Sequence, residues 1–310
     1  MMLNKPKYWD GKIGIISIIL LPLSFIFIFL SFLKKKLTKV NHFSIPIVCI
    51  GNIYIGGTGK TPAAILLAKE LTISGKKPVI IRKYYNNHDD EYSLIKEYFN
   101  NLIICKNRVK GIKEAEKANN DIAILDDGFQ DYSIKKNLNI ICFNQNQLIG
   151  NGLVLPSGPL RENLNALSNA NIVIINGKKN QNFENKILKI NNKIKIFYAL
   201  YKAENLDEFK NKHLLAIAGI GNPENFFQLI VENNLNIKKR LIFPDHYNFS
   251  REEITNIVND SKKNNLHIIM TEKDYFKIKK FEINEVKCLK VKLVIENEKE
   301  FINEIKKVIC

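Results

Sequence analysis

Ile45–Leu71 reads IPIVCIGNIYIGGTGKTPAAILLAKEL, and its three parts follow different physics. Ile45–Ile50 is a short apolar, β-branched run, the pattern of a strand buried on both faces. Gly51–Gly59 is glycine-rich. From Thr61 to Leu71 the apolar residues recur at helical spacing, and Pro62 falls in the first turn, where no backbone donor is needed. Strand, glycine-rich turn and helix in this order form a phosphate-binding loop. Gly56, Gly57 and Gly59, with Thr58 among them, let backbone N–H groups wrap phosphate oxygens, and the helix N-terminus adds its positive end. Lys60 is placed to reach the β and γ phosphates, and the Thr61 hydroxyl to bind Mg²⁺. The strict pattern GxxxxGK[ST] has Gly where Tyr54 stands, so the loop is a variant. It implies a nucleoside triphosphate and does not say what receives the phosphate.

Outward from this stretch, apolar strands recur at 45–50, 78–82, 121–125, 139–143, 171–175, 214–218 and 266–270, with helical patterns between several of them. Such alternation predicts a parallel α/β layered fold. A new strand–helix series begins near residue 200. The expected organisation is therefore a segment 1–40, a P-loop-type α/β/α domain over 41–200 and a second, smaller α/β domain over 201–310. Residues 176–195 are polar and Asn/Lys-rich, as a surface would be, and 297–308 reads as a final helix.

Ile13–Leu33, IGIISIILLPLSFIFIFLSFL, carries no charge over 21 residues. At about 1.5 Å per residue it is long enough for a hydrocarbon core of roughly 30 Å. Pro22 could kink it, which a membrane helix tolerates. A cleaved signal peptide is the rival reading, but no small-x-small cleavage site follows Phe32-Leu33-Lys34. A retained membrane anchor is expected; a helix that dips into one leaflet is the third possibility. Lys34, Lys35, Lys36 and Lys39 after the run favour a main body on the cytoplasmic side, although Lys5, Lys7 and Lys12 before it weaken that vote.

The 310 residues carry a formal net charge of +16, which favours anionic partners such as acidic lipid or phosphorylated substrates. Lys, Asn and Ile are overused throughout, so a solvated lysine surface explains the same charge. No basic platform interleaved with aromatics appears, and nucleic acid is not an expected partner. The five cysteines are scattered with no CxxC, which argues against a zinc knuckle or a disulfide framework.

Asp126 and Asp127 follow DIAIL, a second buried strand, so an acid at a strand end beside a phosphate loop could hold Mg²⁺ directly or through water. A turn capped by Asp-Asp-Gly would look the same. Arg161 and Glu162 end a loop containing Pro156, Gly158 and Pro159; the guanidinium suits bidentate phosphate binding with Glu162 orienting it, and a surface ion pair is the plainer alternative. Ser250 is a plausible N-cap for REEITNIV. AIAGIGNPENFF, Ala216–Phe227, is another strand, glycine turn and helix, more often architecture than a second nucleotide site.

The string GNIYIGGTGKTP resembles the phosphate loop of the tetraacyldisaccharide 4′-kinase (lipid A 4′-kinase) family. DDGFQ at Asp126–Gln130, LPSGPLRE at Leu155–Glu162, FPDHYNF at Phe243–Phe249 and TEKD at Thr271–Asp274 resemble that family in the same order, and an N-terminal membrane helix belongs to its pattern. The resemblance implies transfer of the γ-phosphoryl of ATP, with Mg²⁺, to the 4′-hydroxyl of a membrane-embedded acylated disaccharide 1-phosphate at the cytoplasmic face of the bacterial inner membrane. It implies two α/β domains joined by strands, with the active cleft between them. It makes Asp90 part of a catalytic acid–base pair with His246, Glu91 a metal-associated residue and Gln130 a polar residue near the metal. Without it, Asp90 and Glu91 read as helix N-terminal charges favoured by the dipole, and His246 as a solvated loop side chain. A register one residue off would put Asp89 in the place of Asp90.

The chain departs from the family in three places. Lys83 stands where the family has Gly in Arg-Gly-Tyr, Asp131 where it has His, and Ser157 where it has Ala. TEKD differs from the guanine-reading T/N-K-x-D pattern, its Lys coming one position late, so GTP is not implied; Lys273 and Asp274 are expected to shape the domain cleft. Two other classes fit parts of the sequence. A membrane-tethered P-loop NTPase switch would explain the variant loop, and a non-catalytic lipid-binding relative would explain the departures.

Overall fold

The computed structural model of the chain describes residues 6–86, 88–245 and 247–309. Two helices come first, α1 (Ile15–Ile19) and α2 (Leu21–Leu37). The alternating series opens with β1 (Ile47–Gly51), α3 (Lys60–Ile73), β2 (Pro78–Lys83), α4 (Asp89–Tyr98), β3 (Leu102–Cys105), α5 (Arg108–Lys117) and β4 (Ile122–Asp126). It continues with β5 (Leu138–Asn144), β6 (Ile172–Asn176), α6 (Gln181–Ile190), β7 (Lys195–Ala203), β8 (His213–Ala218), α7 (Pro223–Glu232) and β9 (Asn236–Ile242). The last elements are α8 (Arg251–Lys263), β10 (His267–Thr271), α9 (Glu272–Ile278), β11 (Val286–Leu289), β12 (Val291–Ile295) and α10 (Glu298–Ile309).

The described residues divide into two compact units. One holds residues 6–84, 99–200 and 295–309, and the other holds 85–98 and 201–294. This division differs from a single cut near residue 200 in two segments: α4 belongs with the later strands, and α10 belongs with the phosphate-loop unit. The mixed α/β class and the parallel sheets are as expected.

In the phosphate-loop unit the strands run in the order β7-β6-β5-β1-β4-β2-β3. Neighbours in that order pair in parallel. All residues of β1, β4 and β6 are buried, because helices cover both faces of a parallel sheet. That double burial is why these strands read as unbroken apolar runs. The 176–195 stretch is not surface throughout: α6 buries Phe183 and Ile187 against the core and is started by Asn180, whose side chain accepts the Phe183 N–H.

The second unit has a four-stranded parallel sheet, β11-β10-β8-β9. One apolar cluster centres on Leu214, Phe227 and Ile230, another on Leu215, Ile254 and Met270. Ser250 caps α8 as expected, in a reciprocal box with Glu253.

The expected transmembrane anchor is not supported by the described helices. None of the described helices is long and apolar enough to cross a membrane. The uncharged run is cut in two at Leu20, and Pro22 sits in the first turn of α2. Within α2 only Leu21–Leu33 is uncharged, about 20 Å of helix. Its last turn is Lys34, Lys35 and Lys36. One side is taken up by the protein: Ser17 and Ser24 are buried, while Ile15, Ile19, Phe25 and Phe29 are each more than half exposed.

Candidate active site

The phosphate loop lies between β1 and α3, as its glycines require. Gly56 (φ 111°) and Gly59 (φ 88°) have the positive φ that side-chain-bearing residues avoid, and Gly59 caps α3 in the left-handed region. Two buried asparagines fix the loop. Asn52 donates to the Gly56 carbonyl (3.2 Å) and the Thr58 hydroxyl (3.0 Å), and Asn176, at the end of β6, donates to the Thr58 carbonyl.

The acids arrive from β4. Strand register places Ile50 of β1 and Arg82 of β2 on either side of Asp126. Thr61 Oγ1 donates to Asp126 Oδ2 at 2.9 Å, and Arg82 pairs with the same oxygen and with Thr61 Oγ1 (3.1 Å). Asp126 is fully buried, and its Oδ1 makes no hydrogen bond among the described residues. A buried, orphaned acceptor beside a threonine hydroxyl fits a nucleotide-borne Mg²⁺, which keeps waters and takes one or two carboxylates. No group of three or more His, Cys, Asp or Glu among the described residues could hold a metal by itself.

Asp127 has a different neighbourhood. Its Oδ1 accepts from Arg161 at 2.8 Å and lies 3.8 Å from Lys60 Nζ. Burial would raise its carboxyl, but Lys60 and Arg161 outweigh that and hold it down at about 2. Burial lowers the Lys60 ammonium from its ordinary range, and the Asp127 charge opposes that shift. An arriving phosphate would supply further negative charge to Lys60 and Arg161.

Gln130 donates to the Asn52 carbonyl at 2.9 Å, which ties DDGFQ to the loop. Arg161 is held by Asp127, whereas Glu162 neighbours Tyr132, whose phenol is pushed up by burial and by that carboxylate. Asp131 accepts from Ser133 and lies 3.4 Å from Arg108. Burial opposes ionisation of Asp131, but the Ser133 hydrogen bond and the Arg108 charge outweigh it and hold the carboxyl below its ordinary value.

Three functional candidates were not read from the sequence: Arg82, Arg108 and Asn176. Arg108 is buried and donates to the Asp127 carbonyl at 2.7 Å, so it holds the turn that carries both acids. An arginine ending the apolar strand PVIIRK was the available signal for Arg82. For the other two only the fold supplies it.

Asp90 and Glu91 lie in the second unit. Asp89 is exposed and Asp90 is buried at the start of α4. Asp90 Oδ2 is 3.6 Å from Lys277 and 3.9 Å from Lys273. Lys273 also meets Glu91 (3.2 Å) and Asp245 (3.1 Å), and Glu91 lies 3.2 Å from His88. Asp274 anchors this cluster: it accepts from the Gly219 N–H and the Thr271 hydroxyl, both at 2.7 Å, and pairs with Lys277. Thr271 caps α9, and Glu272 accepts from Tyr98 and from the Val291 N–H. The TEKD segment is thus an ordered part of the setting of Asp90. His246 lies outside the described residues.

A glycine-rich loop with Lys-Thr at its end, beside a buried acid on the adjacent parallel strand, defines a P-loop nucleotide-binding protein of the phosphoryl-transfer class. A family model described as Tetraacyldisaccharide-1-P 4'-kinase matches residues 16–310, and the chain belongs to that family. It is 40% identical to the tetraacyldisaccharide 4'-kinase of Pelagibacter ubique (strain HTCC1062), over 98% of each chain. It is 33% identical to the enzyme of the same name from Rickettsia akari (strain Hartford), over 96% of this chain and 95% of that one. Among solved structures it is similar to LpxK from Aquifex aeolicus in complex with ATP, with a TM-score of 0.72. That match has 21% identity and covers 96% of this chain and 100% of the other. At that identity the likeness shows the fold.

Proposed function

We propose that the protein is a lipid kinase that moves the γ-phosphoryl group of ATP to the 4′-hydroxyl of a tetraacyldisaccharide 1-phosphate, a step of lipid A biosynthesis. The observation that carries this reading is the Thr61–Asp126 pair, with its orphaned Asp126 oxygen, at the foot of a phosphate loop in a chain of this family. Mg-ATP would supply the phosphoryl group and a cation to offset its negative charge. Thr61 and Asp126 would hold that cation, with Asp127 and Gln130 fixing the turn around it. The loop amides, Lys60 and Arg161 would neutralise negative charge on the phosphates. Asp90, with His246, would take the hydroxyl proton as the new P–O bond forms and the bond from the γ-phosphorus to the leaving ADP breaks. The burial of Asp90 and the exposure of Asp89 support that choice of register. The roles of Glu91 as a metal-associated group and of Glu162 at the acceptor belong to the same proposal.

The acceptor is a lipid, and the exposed apolar side of α1 and α2 suits insertion into one leaflet rather than a crossing. Lys34, Lys35 and Lys36 in the last turn would sit among anionic headgroups and meet the 1-phosphate, at the cytoplasmic face where ATP is found. The test is phosphate release and transfer measured side by side. Transfer to the lipid that is lost in Asp90→Ala supports the kinase. ATP hydrolysis indifferent to the lipid would instead favour an NTPase switch, and lipid binding without transfer a non-catalytic relative.

A further inference from the structure

Two of the three serines in the apolar N-terminal helices are buried, Ser17 and Ser24. Both meet residues 151–158, the limb that leads to Arg161. Ser24 Oγ is 2.9 Å from the Val154 carbonyl, 2.8 Å from Ser157 Oγ and 3.1 Å from the Ser157 N–H. A hydroxyl has one proton and two lone pairs. With Ser24 donating to the carbonyl, both Ser157 groups donate to Ser24, and every valence is used. Asn151 makes the second seam, donating to Ser17 Oγ (3.1 Å) and to the Ser157 carbonyl (2.9 Å). The fit is close: a Cβ on Gly158 would lie 2.2 Å from Asn151 Oδ1.

The far end of the same limb is fixed to the phosphate loop. The Arg161 N–H donates to the Ile53 carbonyl (2.7 Å), and the Ile55 N–H donates to the Pro159 carbonyl (2.9 Å). Arg161 Nη1 then reaches Asp127 at 2.8 Å. Three residues, Gly158 to Leu160, separate Ser157 of the serine seam from Arg161. A displacement at the helix must move the guanidinium or break buried hydrogen bonds.

We propose that Ser24 is a positioning residue that acts through Arg161, so that the seating of the apolar helix in lipid sets the geometry at the phosphate loop. This rests on the kinase reading above. It also involves the Ser157 hydroxyl, which stands where the resemblance has alanine. The device orders events: the guanidinium is in register when the helix is held against the limb, and the lipid that holds the helix is also where the acceptor resides.

The test compares Ser24→Thr with Ser24→Val, which share a shape and differ in the hydroxyl, in the full-length protein with tetraacyldisaccharide 1-phosphate in mixed micelles. Ser24→Val is expected to lower kcat at least about tenfold, and Ser24→Thr to stay within about threefold of wild type. Sedimentation with vesicles is expected to be unchanged in both. In an Arg161→Ala background the Thr–Val difference should shrink below about twofold, since the effect passes through the missing side chain. Equal kcat for the two variants, or a difference that persists without Arg161, would overturn the inference. If neither variant folds, Ser157→Ala keeps one of its two bonds to Ser24; it should cost about two- to fivefold in kcat, again only when Arg161 is present. An unchanged kcat there would equally overturn it. Absence of transfer by the folded wild type would instead remove the kinase reading, and the inference with it.

Discussion

Thr61 Oγ1 sits 2.9 Å from Asp126 Oδ2, joining the first turn of the phosphate-loop helix to the end of the adjacent strand. The pair leaves Asp126 Oδ1 buried and unbonded among the described residues, which is costly unless a cation takes it up. Asp126→Asn should therefore raise the Mg²⁺ concentration for half-maximal transfer and lower the rate by about a hundredfold. A Mg²⁺ titration of wild type and variant checks this. An unchanged midpoint would remove Asp126 from the cation site.

Lys60 is a mostly buried cation with Asp127 as an ionic partner at 3.8 Å. In Lys60→Ala turnover should fall by at least about a hundredfold, because one charge that neutralises the phosphates is gone. Sedimentation with lipid vesicles should not change, since Lys60 is remote in sequence from the apolar helices. Full activity in the variant would refute the assignment.

Asp127 makes stability depend on pH. Its carboxyl lies at about 2 in the fold against an ordinary 3.8, so the folded state prefers the charged form. That contribution is complete above about 4 and is lost as pH falls towards 2. Its size is roughly 1–2 kcal/mol, given that the side chain keeps 19% of its surface exposed. Urea unfolding of wild type and Asp127→Asn should give a difference that is level from pH 6 to 5 and shrinks below about 4. A difference constant down to pH 3 would contradict this account of the carboxylate.

Asp274 is fully buried and holds the Gly219 N–H, the Thr271 hydroxyl and Lys277. Replacing it with asparagine leaves Lys277 and the turn after β8 poorly satisfied. A loss of about 2–4 kcal/mol is expected, seen as a lower urea midpoint with an unchanged slope. A loss under about 0.5 kcal/mol would show the cluster to be incidental.

Phe25 and Phe29 lie on the exposed side of α2. Changing both to glutamate should cut vesicle binding at least about tenfold, and raising the salt to about 0.5 M should cut it less. If salt abolished binding and the glutamates did not, the lysines of the last turn would be the true membrane contact.

The sequence read well wherever the chemistry is local. The strand, loop and helix of Ile45–Leu71, the acids at the end of β4 and the Ser250 cap each depend on residues within a few positions of one another. It read poorly where partners meet through strand register. Arg82 reaches Asp126 because β2 and β4 are neighbours, and nothing in PVIIRK states which strand lies beside it. Edge strands were also missed: β9 carries Lys238, Lys239 and Arg240 and is mostly exposed, so it lacks the apolar run of the central strands. The Ile13–Leu33 run is hard to read for a different reason. Hydropathy counts composition, and serines among apolar residues do not reveal that two of them, Ser17 and Ser24, are hydrogen-bonded to a loop more than a hundred positions away.

The central claim is transfer of a phosphoryl group to one hydroxyl of a lipid. The direct test is incubation of the purified protein with γ-labelled Mg-ATP and tetraacyldisaccharide 1-phosphate in mixed micelles, with the product's phosphate located by phosphorus NMR. Label on the 4′ oxygen, absent with Lys60→Ala, is the expected result. A folded, ATP-binding protein that leaves the lipid unlabelled, or labels it at another position, would contradict the account.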